Sequence, residues 1–158
     1  MPIMKCDLWD VQSHPTMIVV TTNGSIRYDG CLVMEHGAVR GAPRRGPTIA
    51  KLAGDAIRMY GEYVTGVAFW DYGYLTITSP ISKSIPGIGI FRVKALWSDR
   101  TELTIIRNSL VQLVHHCLAF PDVQYRLNYP GIEPGWLSRR QVAPLLVNLP
   151  ENLTICYR

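Results

Sequence analysis

No apolar run in this sequence approaches the ~20 residues of a membrane-spanning helix. The opening, MPIMKCDLWD, carries an Asp and no long apolar core, so it does not read as a secretory signal, and the expected location is the cytoplasm. Cysteine is sparse. Cys6, Cys31, Cys117 and Cys156 fall singly, without the C-x-x-C pairing of a zinc site, which predicts reduced core thiols. Metal ligation by histidine fares no better, because His115, His116 and Cys117 are consecutive and leave a helix about 100° apart, too divergent to meet on one ion. A phosphate loop of the Walker or GxGxxG type is also missing; Pro86, Gly87, Ile88 and Gly89 have the composition but complete neither pattern. Neither a metal nor a resident cofactor is therefore expected.

What is present fits one compact domain over residues 1–158, large enough to bury a core, with 47% apolar and 18% charged residues. The formal net charge of +4 favours anionic ligands in a general way. The organising stretch is Met17 to Gly37, MIVVTTNGSIRYDGCLVMEHG. Ile18, Val19 and Val20 form an unbroken β-branched run suited to a strand buried on both faces of a mainly parallel sheet. Thr21 to Gly24 then turn the chain where the carboxyl end of that strand should lie, which is the edge where open α/β sheets bind ligands. Asp29, Gly30 and Cys31 read as a small-residue loop feeding a helix from Leu32 to Gly41, whose first N–H groups would suit a phosphate.

A second loop repeats the arrangement. Gln124 to Tyr129 reads as a strand, NYPGIEPGWLS follows from Asn128 to Ser138, and Ser138 with Gln141 forms a capping-box pair opening a helix kinked at Pro144. Elsewhere, Ile3 to Leu8 reads as a short first strand. Ile49, Leu52, Ala53, Ala56, Ile57 and Tyr60 carry the clearest helical spacing, between Pro47 and Gly61. Val64 to Trp70 and Tyr74 to Thr78 read as an antiparallel hairpin turning at Asp71 and Gly73. Ser79 to Trp97 holds too many Pro and Gly residues for a regular element. Thr101 to Leu118 reads as a long helix capped by Ser98 or Asp99, and Leu153 to Tyr157 as the last strand. The order gives an α/β layered domain with a mixed sheet.

The residues VVTTNGSIRYDGCLVMEHG resemble the first ligand loop of macro domains, the α/β modules that bind ADP-ribose. The likeness is strongest to a phage and bacterial branch with a TTNG…DG…VM signature, related to the terminal ADP-ribose glycohydrolase class. It implies a three-layer α/β/α fold with a mixed, mainly parallel sheet. It further implies that ADP-ribose, or the ADP-ribosyl group of a modified macromolecule, is the partner. CDL at Cys6 to Leu8 is similar to the family's G-D-[IL], which puts adenine at Asp7 and Leu8, with Tyr157 as the available stacking aromatic. Asn23 and Gly24, with Asp29, Gly30 and Cys31 in place of a glycine triplet, would take the distal ribose. Leu32 and Val33, together with Gly131, Ile132, Glu133, Pro134, Gly135 and Trp136 of the second loop, would take the phosphates. Only the middle glycine of the triplet is kept, and Glu133 and Trp136 replace glycines, so Asp29 and Glu133 bring negative charge toward the diphosphate.

Whether the chain is an enzyme stays open. Glycohydrolases of the resembled class carry a Lys just after one strand and an acidic residue in the second loop; the aligned positions here are Ser79 and Gly135. Lys83, Glu133 and His36 are the remaining catalytic candidates, for ADP-ribosyl hydrolysis or for an ADP-ribose-1″-phosphate phosphatase. Two other readings remain: a basic nucleic-acid-binding module using Arg44, Arg45, Arg139 and Arg140, and a macro fold that has lost its ligand. If the chain is phage-encoded, its cytoplasm is the host's.

Overall fold

The computed structural model describes residues 3–11, 15–34, 41, 48–60, 72–78, 80–132 and 137–157. The strand expected over 64–70, its turn at Asp71, and the candidates His36, Arg44, Arg45, Ser79, Glu133, Pro134, Gly135 and Trp136 lie outside the described residues.

The expected buried strand is β2, Thr16–Thr22, and every one of its residues is buried. Both faces are covered because it lies inside a six-stranded sheet. It runs parallel to β5 (Gln124–Asn128) on one side and to β4 (Ile88–Arg92) on the other. Beyond β5 come β6 (Leu153–Tyr157) and then β1 (Ile3–Lys5), both parallel; beyond β4 comes β3 (Tyr74–Ile77), which is antiparallel. The mixed, mainly parallel sheet is thus as expected. Alternation along β2 splits the core in two. Ile18 and Val20 point into one layer with Ile88, Ile90 and the Ile49, Ala53 and Ile57 stripe of α1 (Ile49–Tyr60). Met17 and Val19 point into the other with Phe91, Leu127, Ile155 and the Ile106, Leu110, Leu113 and Cys117 stripe of α2 (Leu103–Ala119). Ile18, Val19 and Val20 have no exposed surface, and such burial stabilises by roughly 1.5–3 kcal/mol per side chain.

Several expectations are corrected. Residues 79–97 do contain a regular element, β4, and it is one of the central strands. Its glycine is explained by a close approach: a Cβ on Gly89 would sit 2.5 Å from the Tyr74 ring on β3. Among the described residues β3 pairs antiparallel with β4, with Tyr74 opposite Phe91 and Ile77 opposite Ile88. No helix starts at Leu32, which instead pairs with Ile26 in an antiparallel bridge. β1 stops at Lys5, short of Leu8. The α2 helix begins at Leu103 with Glu102 as N-cap and no side-chain cap, while Asp99 has another task, described below.

After Ser138, α3 (Arg139–Val142) does open with the expected capping box, and at Pro144 it tightens into a 3₁₀ turn, Ala143–Leu145. The cysteines depart from expectation as well. Cys6 and Cys156 form a disulfide, with Cα atoms 5.3 Å apart, while Cys31 and Cys117 are free. The parallel β1–β6 ladder sets Met4 opposite Cys156 and so brings Cys6 to the same edge, a proximity that a separation of 150 residues hides in the sequence. No described helix is long and apolar enough to cross a membrane.

Candidate functional site

β1, β2, β4, β5 and β6 are mutually parallel, so their carboxyl ends share one edge, and the chain segments leaving that edge make up the candidate site. At its centre β2 delivers Asn23, which is only 5% exposed. The Asn23 amide organises its own loop: Oδ1 accepts from the Ser25 N–H at 2.7 Å and Nδ2 donates to the Val33 carbonyl at 3.1 Å. From below, the Tyr72 hydroxyl donates to the Asn23 carbonyl at 2.6 Å. Tyr72 has no exposed surface, and burial pushes its phenol far above the ordinary value, so it remains a donor. Asn128, at the end of β5, holds the last turn of β2 from the side. Its Oδ1 accepts from the Thr21 N–H at 2.9 Å and its Nδ2 donates to Thr21 Oγ1 at 2.8 Å.

The segment after β4 is fastened to this loop. The Val93 N–H donates to the Thr22 carbonyl, and the Gly24 N–H to the Ala95 carbonyl, each at 2.9 Å. Lys94 lies between these two rungs and therefore beside Asn23. A further bond runs from the Trp97 N–H to Ser25 Oγ at 2.9 Å. Asp99 closes the turn, its carboxylate accepting from the Leu96 N–H at 3.0 Å and its own N–H donating to the Leu96 carbonyl at 3.0 Å. Glu102 completes the base by donating to the Val93 carbonyl at 2.9 Å. Lys94 is half-buried, and that burial lowers its pKa below the usual lysine value, with the Asp99 charge opposing the shift. A lysine held just after a parallel strand, with an enlarged neutral fraction, is a nucleophile candidate.

Sequence reasoning missed Lys94 because β4 was missed. The signal was the β-branched and aromatic run Ile88, Ile90, Phe91 and Val93 ahead of it, masked by Gly87 and Gly89. Lys83, the earlier candidate, is exposed at the far side of the sheet. Its neighbour Ser84 accepts from the Thr16 N–H at 2.8 Å, so Lys83 stands by the start of β2. That is about 20 Å from Asn23, at ~3.3 Å per residue.

The Asp29, Gly30 and Cys31 turn is the tip of a small hairpin. Arg27 and Cys31 are joined N–H to carbonyl at 2.8 Å, and the Gly30 N–H returns to Arg27 at 2.8 Å with Gly30 at φ +89°. Asp29 is exposed and caps the turn, accepting from the Cys31 N–H at 3.0 Å; that bond, ahead of nearby Arg27, holds its carboxyl below the usual range. Leu32 and Val33 donate to the Ala50 and Ser25 carbonyls at 2.9 and 3.0 Å. All four N–H groups from Gly30 to Val33 thus donate inside the protein.

At the other end of the edge, Asp7 follows β1 and is exposed, with Oδ1 accepting from the Trp9 N–H at 3.0 Å; Leu8 is buried. Arg126 pins this segment, its Nη1 donating to the Asp7 and Asp10 carbonyls at 2.9 and 2.8 Å. Tyr157 lies alongside, because its carbonyl accepts from the Cys6 N–H at 3.1 Å. One face of its ring is covered by the Arg139 guanidinium at 4.3 Å, which also lies 5.5 Å from the Tyr129 ring. Arg139 is therefore engaged with aromatic rings, while Arg44 and Arg45 of the expected basic cluster lie outside the described residues. In the second loop, Gly131 takes φ +86° and its carbonyl accepts from Thr101 Oγ1 at 3.2 Å, which links this loop to the start of α2; Ile132 follows it, partly exposed.

No protein-family model matches the sequence, and no curated protein does. Solved structures do match. The macrodomain of Mycobacterium tuberculosis DarG is 18% identical, with a TM-score of 0.68 over 98% of this chain and 95% of that one. The macrodomain of Thermus aquaticus DarG is 16% identical, with a TM-score of 0.61 over 98% and 95%. Thermosipho africanus DarTG in complex with ADP-ribose is 16% identical, with a TM-score of 0.61 over 89% of this chain and 37% of that one. With so few identical residues spread over nearly the whole length, what the chain shares with these proteins is its architecture, and that architecture is the macrodomain fold.

Proposed function

We propose that this protein binds ADP-ribose, or the ADP-ribosyl group of a modified macromolecule, along the carboxyl edge of its sheet. Adenine lies at Asp7 and Tyr157, and the distal ribose lies where the Asn23 loop meets Lys94. The observation that carries the reading is the pair of rungs, Thr22 to Val93 and Gly24 to Ala95, which hold a lysine of lowered pKa beside the family's ribose-binding asparagine. The resembled glycohydrolases place a lysine just after the equivalent strand, and Lys94, rather than Ser79, meets that description. The Lys94 amine would attack C1″ of the distal ribose, the bond to the modified group would break, and that group would leave with the amine's proton. Water would then release ADP-ribose and return the free amine. Asp99 is the described carboxylate that acts on this lysine.

A second reading has one observation in its favour. The N–H groups of Gly30 to Val33 all donate within the protein, as a macrodomain that holds no diphosphate at this loop would have them. Calorimetric titration with ADP-ribose separates the two, and a time course on ADP-ribosylated substrates and on ADP-ribose-1″-phosphate separates binding from hydrolysis. The proposal expects saturable binding that Lys94→Ala retains, with any turnover lost in that variant. Absence of binding would support the second reading.

A further inference from the structure

We propose that the Cys6–Cys156 disulfide is a reducible latch on the adenine end of the site, so that the protein binds its nucleotide well when oxidised and poorly when reduced. The latch sits on a short edge strand. β1 has three residues and, among the described residues, lies at the sheet edge and pairs with β6 alone. None of its residues is buried, so little apolar surface holds it in place. The residues that follow Cys6 are Asp7 and Leu8, and Asp7 is itself exposed. Besides the β1–β6 ladder and the Cys6 to Tyr157 hydrogen bond, the segment is held by the two Arg126 bonds to the Asp7 and Asp10 carbonyls, both in exposed surroundings, and by Leu8, which is buried in the core beyond the exposed Asp7. The covalent bond to Cys156, whose own residue is buried in β6, is the strongest tie on this edge.

Its chemistry is suited to exchange. Cys6 is partly exposed whereas Cys156 is 4% exposed, so an incoming thiolate reaches the Cys6 sulfur first. A dithiol reductant attacks there, forms a mixed disulfide with Cys6, and expels the Cys156 thiolate, which takes up a proton. The reductant's second thiol then displaces Cys6 and closes the reductant into its own disulfide. Two electrons and two protons have passed to the protein, and both cysteines are thiols. The remaining free thiols take no part: Cys117 is buried and its thiol is pushed up to about 12, and Cys31 lies on the hairpin after β2. Once released, β1 exchanges between docked and frayed states, and the apparent affinity falls by the fraction of molecules that keep Asp7 in place.

The latch rests on the placement of adenine at Asp7, so its test reads the segment and the ligand separately. Thiols are counted in the purified protein and after treatment with dithiothreitol, amide exchange is followed at Met4 to Leu8, and ADP-ribose affinity is measured in both states and in Cys6→Ala. The expected result is two free thiols rising to four, loss of exchange protection confined to Met4 to Leu8, and affinity about tenfold weaker on reduction and restored on reoxidation. Cys6→Ala should behave as the reduced protein and ignore dithiothreitol. Four free thiols that a mild disulfide-forming oxidant fails to join would overturn the latch. So would equal protection and equal affinity in the two redox states. Loss of protection in a protein that binds no ADP-ribose in either state would uphold the loosening of β1 and count against the proposed ligand.

Discussion

The N–H of Gly24 donates to the carbonyl of Ala95 at 2.9 Å, joining loops that leave two different strands. With the Trp97 to Ser25 bond, it makes the asparagine loop and the lysine loop one mechanical unit. Pre-organisation of this kind matters because a lysine on a four-carbon stem loses about 2 kcal/mol of rotamer freedom when it is fixed. The two bonds fix the backbone on which that side chain stands.

The charge on Lys94 should follow from this setting. Burial lowers its pKa from the usual 10.5 and Asp99 pulls the other way, so the neutral amine appears at lower pH than for an ordinary lysine. Labelling with an amine-reactive reagent across pH, read by peptide mass spectrometry, should show Lys94 reacting with a midpoint below 10.5. Asp99→Asn should move the midpoint further down, because it removes the negative charge that favours the ammonium. A midpoint at or above the usual lysine value would contradict the assignment.

Gly54 on α1 is where the hairpin tip docks. A Cβ there would overlap the Gly30 carbonyl and press on the Leu32 amide. Alanine in place of a helical glycine ordinarily gains about 1 kcal/mol. Here the overlap should outweigh that gain, leaving Gly54→Ala destabilised by roughly 1–3 kcal/mol in urea unfolding. An unchanged or increased midpoint would mean that the hairpin does not pack on α1 as described.

Asp7→Ala should weaken ADP-ribose binding by about ten- to a hundredfold, the usual cost of losing a hydrogen bond to a charged partner. Ribose 5-phosphate, which has no adenine, should bind wild type and variant alike. Equal losses for both ligands would place Asp7 elsewhere than at the base.

The layered fold was legible because its signals were local. The Ile18 to Val20 run, the α1 stripe and the Ser138 and Gln141 capping box each state their structure within a few residues. What stayed hidden depended on partners distant in sequence. Gly89 looks like a loop residue until Tyr74 is seen lying over the β4 backbone, and with β4 unread, Lys94 could not be placed. Cys6 and Cys156 show no pairing until β1 is set beside β6. At Leu32 and Val33 the sequence pattern of a helix start misled, because the Ile26 to Leu32 bridge and the Ala50 and Ser25 carbonyls claim the same backbone donors.

The most direct test of the account is backbone amide shift mapping while ADP-ribose is titrated into the oxidised protein. The account predicts that the resonances moving most belong to Asn23, Gly24, Lys94 and Ala95 at one end of the sheet edge and to Asp7 and Leu8 at the other, saturating together at one equivalent. Shifts absent from both groups, or gathered around Lys83 at the opposite edge, would contradict it.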